Sequence, residues 1–226
     1  FLGLLVYGES RIEPLRTVEV VEDPLPGPGR LYLFALGGLG VALLVSVATG
    51  LGLYGNALAL FTPYQQGVVL PLFHLAYGLY LFLGLYLWQR RRFPGLLGPK
   101  EAWVEGFWVG PLLLGLLWAY GQVRGFLGLG GLPPSLLTFL GLALAEPFFR
   151  GLLPWVFRVR YRDIALPLAA LFFAVAWPGP ALFLLLVGWL LLRLKERTGG
   201  LLGLALGWVV AGVVMGLFPS AWLRRF

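Results

Sequence analysis

Seven runs of apolar residues dominate the chain, near 32–53, 68–89, 103–121, 134–157, 164–177, 180–194 and 200–218. Each is long enough, or nearly so, to cross a hydrocarbon core of about 30 Å, which takes about 20 helical residues. At that depth water cannot satisfy the backbone, so such runs are expected as helices. With 59% hydrophobic and 12% charged residues and a mean hydropathy of +0.86, the 226 residues have too little polar surface to cover a soluble globule. The expected fold class is therefore an all-α integral membrane protein of about seven transmembrane helices. The fifth and sixth runs are short and joined by "WPGP", whose prolines and glycine force a tight reversal. They read as a helical hairpin.

A formal net charge of +7 would suggest nucleic acid in a soluble protein, but here the basic residues sit between apolar runs. Arg11, Arg16, Arg30, Arg90 to Arg92, Lys100, Arg158, Arg160, Arg162, Arg193, Lys195 and Arg197 fall on one side. Arg124, Arg224 and Arg225 fall on the other. Positive-inside asymmetry then places the N-terminus in the cytoplasm, in what is expected to be a prokaryotic plasma (inner) membrane, with the bilayer rather than nucleic acid as partner. Residues 1–31 read as a cytoplasmic tail or interfacial segment, "GESRIEPLRTVEVVEDPLPGPG" being a tail or short strand. The chain opens on Phe1, so an upstream piece is expected to be missing, with "FLGLLVY" either the tail of a helix or a short interfacial segment. Few thermolabile residues, with one Met, Asn56 as the lone Asn and basic residues that are nearly all Arg, resemble a thermophile's composition.

With no cysteine and only His74, the chain lacks the usual thiol and imidazole sets for metal binding or nucleophilic catalysis. No cofactor is expected. The charged pair inside "AEPFFRGLLPWVF" is the exception to this chemical quiet. Glu146 and Arg150 stand at i and i+4 with the acid N-terminal, the better orientation for a helical ion pair. An ionisable residue at membrane depth costs about 2.5 to 3.5 kcal/mol on the lenient insertion scale and so marks a functional site by default. Pro147 removes a backbone donor and clashes with the carbonyl of Ala143, so the helix is expected to kink or open there.

The stretch "AEPFFRGLL" resembles the first motif, E-E-x-x-x-R, of the CAAX-processing and bacteriocin-processing intramembrane proteases, the type II CAAX endopeptidase group. The similarity continues in order. "FAVAW" supplies Phe173 and, four residues on, Trp177 where the second motif F-x-x-x-H has its histidine. "ERTGGLLGLALGWVVAG" supplies a turn at Arg197 to Gly200, then Trp208 and Gly212 where the third motif has His and Asn or Asp. The resemblance covers about 133–218 and implies a four-helix core of that type over 133–226, after three helices in 32–132. In the family the first Glu and the motif-two His activate water, and the third-motif pair binds the oxyanion or a metal. Here those positions are Ala145, Trp177, Trp208 and Gly212, none of which is a base or a metal ligand. Glu146 is the one candidate left, with Arg150 and Phe173 as the structural half of the signature.

Two indoles in place of imidazoles are expected either to plug a once-wet cavity or to line a smaller pocket for a lipid or peptide. His74 reads as an imidazole hydrogen-bonded between helices, the alternative being a proton relay or a partner for Glu146. Glu101 and Glu105 read as capping groups of the third helix. Gly199, Gly203, Gly207 and Ala211 form a small-xxx-small stripe for close helix packing. Trp88, Trp103 and Trp222 suit the aromatic belts. The expected function is a catalytically inactive relative that binds or scaffolds a membrane protein or lipid. An active endopeptidase using Glu146 is one alternative, and an unrelated transporter or complex subunit the other.

Overall fold

A computed structural model describes residues 26–62, 66–90, 97, 104, 106–127, 134–198 and 200–217. Glu101, Glu105, Trp103, Gly199, Trp222 and most of the tail over 1–31 lie outside the described residues. All the regular structure of the described residues is helical, with no strand among them. The helices are α1 (Pro28–Tyr54), α2 (Gln66–Trp88), α3 (Gly106–Phe126), α4 (Leu136–Glu146), α5 (Leu153–Tyr161), α6 (Ala165–Ala176), α7 (Ala181–Thr198) and α8 (Leu202–Leu217). A π-helical turn, Pro147–Leu152, joins α4 to α5.

Three stretches are apolar and long enough to cross a membrane: Pro28–Tyr54, Gly67–Trp88 and Leu136–Ala176, with mean hydropathies of 2.2, 1.9 and 1.5. Leu202–Leu217 is apolar but shorter. The 41-residue stretch is not one rod. At Arg162 φ is 44°, which breaks the helix. The chain folds back there, so that Phe149 meets Phe173 at 4.9 Å and Phe157 meets Phe172 at 6.1 Å between ring centroids.

The first helix begins four residues before the expected start at 32. Gly27 is extended and Pro28 occupies the first helical position, where its missing N–H costs nothing and its fixed φ is already helical. It ends at Gly55, whose φ of 62° is left-handed and whose N–H reaches the Leu51 carbonyl at 3.1 Å. Helices α3, α5 and α7 run further than the apolar runs suggested, to Phe126, Tyr161 and Thr198, because a polar residue ends contact with hydrocarbon without ending the hydrogen-bond ladder.

The packing is made by glycine. A Cβ on Gly78 would strike the Gly141 backbone and one on Gly141 the His74 carbonyl, so α2 and α4 cross backbone to backbone. On α8, a Cβ on Gly207 would lie 2.5 Å from Val109 Cγ1 of α3. The small-residue stripe there packs helices closely, as expected, with Gly203, Gly207 and Ala211 all buried. Helix α4 thus sits in the middle, between α2 and α8, with its last residue, Glu146, fully buried. Large apolar side chains such as Leu44, Leu87 and Leu182 face outward, exposed by 70%, 74% and 85%, a surface suited to lipid.

Candidate binding site

Pro147 cannot donate to the helical ladder, and the chain answers by widening. The N–H of Leu153 reaches the carbonyl of Phe148, five residues back, which is π-helical spacing. This opened turn carries Arg150 directly after Glu146 and buries both, at 1% and 0% exposure. Glu146 Oε1 accepts a hydrogen bond from Trp208 Nε1 at 2.7 Å and faces Arg150 Nη1 at 3.3 Å. The ion pair is coulombic rather than hydrogen-bonded: among the described residues no guanidinium nitrogen of Arg150 makes a hydrogen bond, nor does Glu146 Oε2. The guanidinium instead lies over the Phe173 ring, with Cζ 3.8 Å from the centroid.

Phe173 is near the end of α6, but Trp177 has left the helix, with ψ of 125°. Its neighbour causes this. A residue before proline is disfavoured in the α region, and Pro178 follows. The reversal 177–180 turns the carbonyl of Pro178 toward His74 Nε2 at 2.9 Å, while His74 Nδ1 meets the carbonyl of Leu70, one turn back on α2, at 2.8 Å. Both ring nitrogens therefore face carbonyls, and neither is turned to Glu146 or offered to a metal. A neutral ring donates to only one of them. The expected bond between helices is thus a bond from a helix to a reversal. Trp177 stacks on the imidazole with centroids 5.6 Å apart and planes at 25°, and also contacts Tyr77 and Phe149.

Glu146, Arg150, Phe173 and Trp208 therefore come together, and Trp177 adjoins them through Phe149 and Phe173. Gly212 lies one turn beyond Trp208, where a Cβ would come within 2.8 Å of Phe139 Cβ, so it serves α8–α4 packing. Ala145 is wholly buried in the core.

The two indoles do not simply fill space. Trp177 and Trp208 form part of the wall of a cavity of about 520 Å³, within the usual range of about 300 to 1,000 Å³ for ligand sites. His74, Phe139 and Leu142 lie along the same wall, and Tyr120, Arg124, Ser135 and Thr138 add polar groups. Both indoles are buried in the core, Trp177 at 3% and Trp208 at 1% exposure, and they also border the cavity; Trp208 turns its N–H inward to the buried carboxylate. The contributions of α3 and of the start of α4 carry no motif. Arg124, the one basic residue expected on its side ahead of the C-terminus, was the available signal.

Fold and site together define an all-helical protein suited to the bilayer, with a buried charge pair behind a lined cavity. No family model, curated protein or solved structure matches the chain.

Proposed function

We propose that the chain is a non-catalytic integral membrane protein of the CAAX-protease-like type, with seven helical segments in the bilayer, its N-terminus cytoplasmic, acting as a binding or scaffold subunit. The observation that carries this reading is the 2.7 Å bond from Trp208 Nε1 to Glu146 Oε1. A general base needs a lone pair open to water or substrate. Here Oε1 is engaged by an indole donor and an arginine, and Oε2, though without a hydrogen-bond partner, is fully buried with it, an arrangement that suits a carboxylate holding a helix better than one activating water. The indole at that point, with Trp177 beside the second motif's phenylalanine, turns the former site of chemistry into the wall of a binding cavity.

The test compares wild type with Glu146→Gln, reconstituted in vesicles with a prenylated CAAX peptide and with a native membrane proteome. No peptide terminus is expected to depend on Glu146, while melting of the variant falls. A terminus that appears with wild type and vanishes in a variant of unchanged melting temperature would establish the protease instead.

A further inference from the structure

The start of α1 and the ends of α2, α5 and α7 gather at one end of the bundle. Phe34 packs on Trp88 with ring centroids 5.4 Å apart, and Tyr32 meets Phe172 at 6.0 Å, the ring that Phe157 of α5 also touches. The ion pair from Arg158 to Glu196 ties the end of α7 to the same place. Positive charge accumulates there. Arg158 and Arg193 share Glu196, while among the described residues Arg30, Arg90, Arg160, Arg162 and Arg197 have no carboxylate partner. Burial first, and then the neighbouring Arg158, hold the Lys195 ammonium below the usual lysine range. The sequence between α2 and α3 brings no relief, because Arg91, Arg92 and Lys100 outnumber Glu101 and Glu105.

The carboxylates that this end lacks stand just upstream in the sequence. Residues 9–23, outside the described residues, hold Glu9, Glu13, Glu19, Glu22 and Asp23, half of the chain's ten acids, against only Arg11 and Arg16. The chain enters α1 at Pro28, on the same end. At about 3.5 Å per extended residue, Asp23 is never more than about 18 Å from Pro28, nor Glu9 more than about 65 Å. We infer that the basic end is a docking surface for the acidic segment 9–23 of the same chain. Arginine suits a carboxylate because its fork of N–H donors matches the two oxygens, and Glu196 already shows this surface taking a carboxylate from its own chain. The tether makes docking intramolecular, so little translational freedom is lost. The bases sit on the ends of four helices rather than along the lipid-covered flank, which suits a segment of chain in water better than headgroups at the rim. The inference is independent of the role of Glu146.

The chain has no cysteine, so a disulfide between two introduced ones reports a single contact. The full chain in phosphatidylcholine nanodiscs carries Val20→Cys in the segment together with Val159→Cys, exposed between Arg158 and Arg160, or Ile164→Cys beside Arg162 if the first does not fold. Leu58→Cys, past the other end of α1, replaces the second cysteine as control. The disulfide is expected at Val159 or Ile164 and not at Leu58. Its rate should fall about tenfold when Glu13, Glu19 and Glu22 become Gln and Asp23 becomes Asn, which is what a few exposed ion pairs supply together. It should fall likewise between about 0.1 M and about 1 M salt, as the screening length shrinks from about 10 Å to about 3 Å. In discs that also contain phosphatidylglycerol the disulfide should persist. A rate indifferent to both neutralisation and salt, or equal rates at Val159 and Leu58, would overturn the inference. Loss of the disulfide in phosphatidylglycerol discs would overturn it too, and would give the basic end to lipid headgroups.

Discussion

Glu146 and Arg150 each stand where a charge could not stand alone, and the structure gives each one further partner of a different kind: an indole N–H for the acid, a ring face for the base. Removing one member strands the other. Glu146→Gln should destabilise the detergent-purified protein by about 3 to 5 kcal/mol, the usual cost of a buried charge left unpaired. Arg150→Met should cost less, because a carboxyl group can take up a proton whereas a guanidinium does not give one up. The double variant should cost less than the sum of the singles. Thermal unfolding of the three decides, and additive losses would remove the pair's structural role. Trp208→Phe loses the donor and also part of the indole ring, so its cost should be larger by about 1 to 3 kcal/mol in the wild-type background than in Glu146→Gln, where the void is the same but the bond to the carboxylate is already gone. The charged pair was legible because an apolar run makes any charge conspicuous. The bond from His74 to Pro178 was not: its partners are 104 residues apart, and a backbone carbonyl has no sequence signature.

Helix positions were legible because lipid imposes an apolar surface residue by residue, but their ends were not, since hydropathy marks where hydrocarbon contact stops. Arg158 and Arg160 in the last turn of α5, like Lys195 and Arg197 in that of α7, continue the helix and favour the negative end of its dipole. Pro147 announced an opened turn, but the six-residue π geometry depends on what α2 and α8 allow around it. The closest helix contact is written in two glycines that look like any others. Gly141→Ala should therefore destabilise by about 1 to 3 kcal/mol, because the new methyl meets the His74 carbonyl rather than a movable side chain. Gly40→Ala, also mid-helix but with nothing near its Cβ, should be neutral or stabilise by up to about 1 kcal/mol. Melting curves of the two variants showing the same sign would mean that α2 and α4 do not touch there.

At the scale of the molecule, the charges separate by end. Among the described residues Arg30, Arg90, Arg158, Arg160, Arg162, Arg193, Lys195 and Arg197 lie toward one end, where Arg158 and Arg193 both pair with Glu196. Arg124 lies at the other, beside the cavity. In the orientation proposed above, positive-inside bias puts the first end in the cytoplasm, and the cavity then opens toward the opposite face. Parity makes this testable at three places. On the proposed seven-segment topology, α2 and α3 between Leu58 and Leu127 make two crossings, so both positions should share a side. Between Leu127 and Arg197 the chain passes through α4–α5 once and then goes up and back through the α6–α7 hairpin, so those two should lie on opposite sides whether or not the hairpin reaches the far face. The chain has no cysteine, so each position can be probed without background by a single substitution. Leu58→Cys and Leu127→Cys should react with a membrane-impermeant maleimide on intact cells, and Arg197→Cys only after permeabilisation. The full reversal of this pattern would keep the fold and invert its orientation, turning the cavity to the cytoplasm. Labelling of Leu127→Cys and Arg197→Cys from one side would be harder to absorb, because it breaks the odd number of crossings on which the placement of Glu146, Arg150 and Trp208 in the bilayer depends.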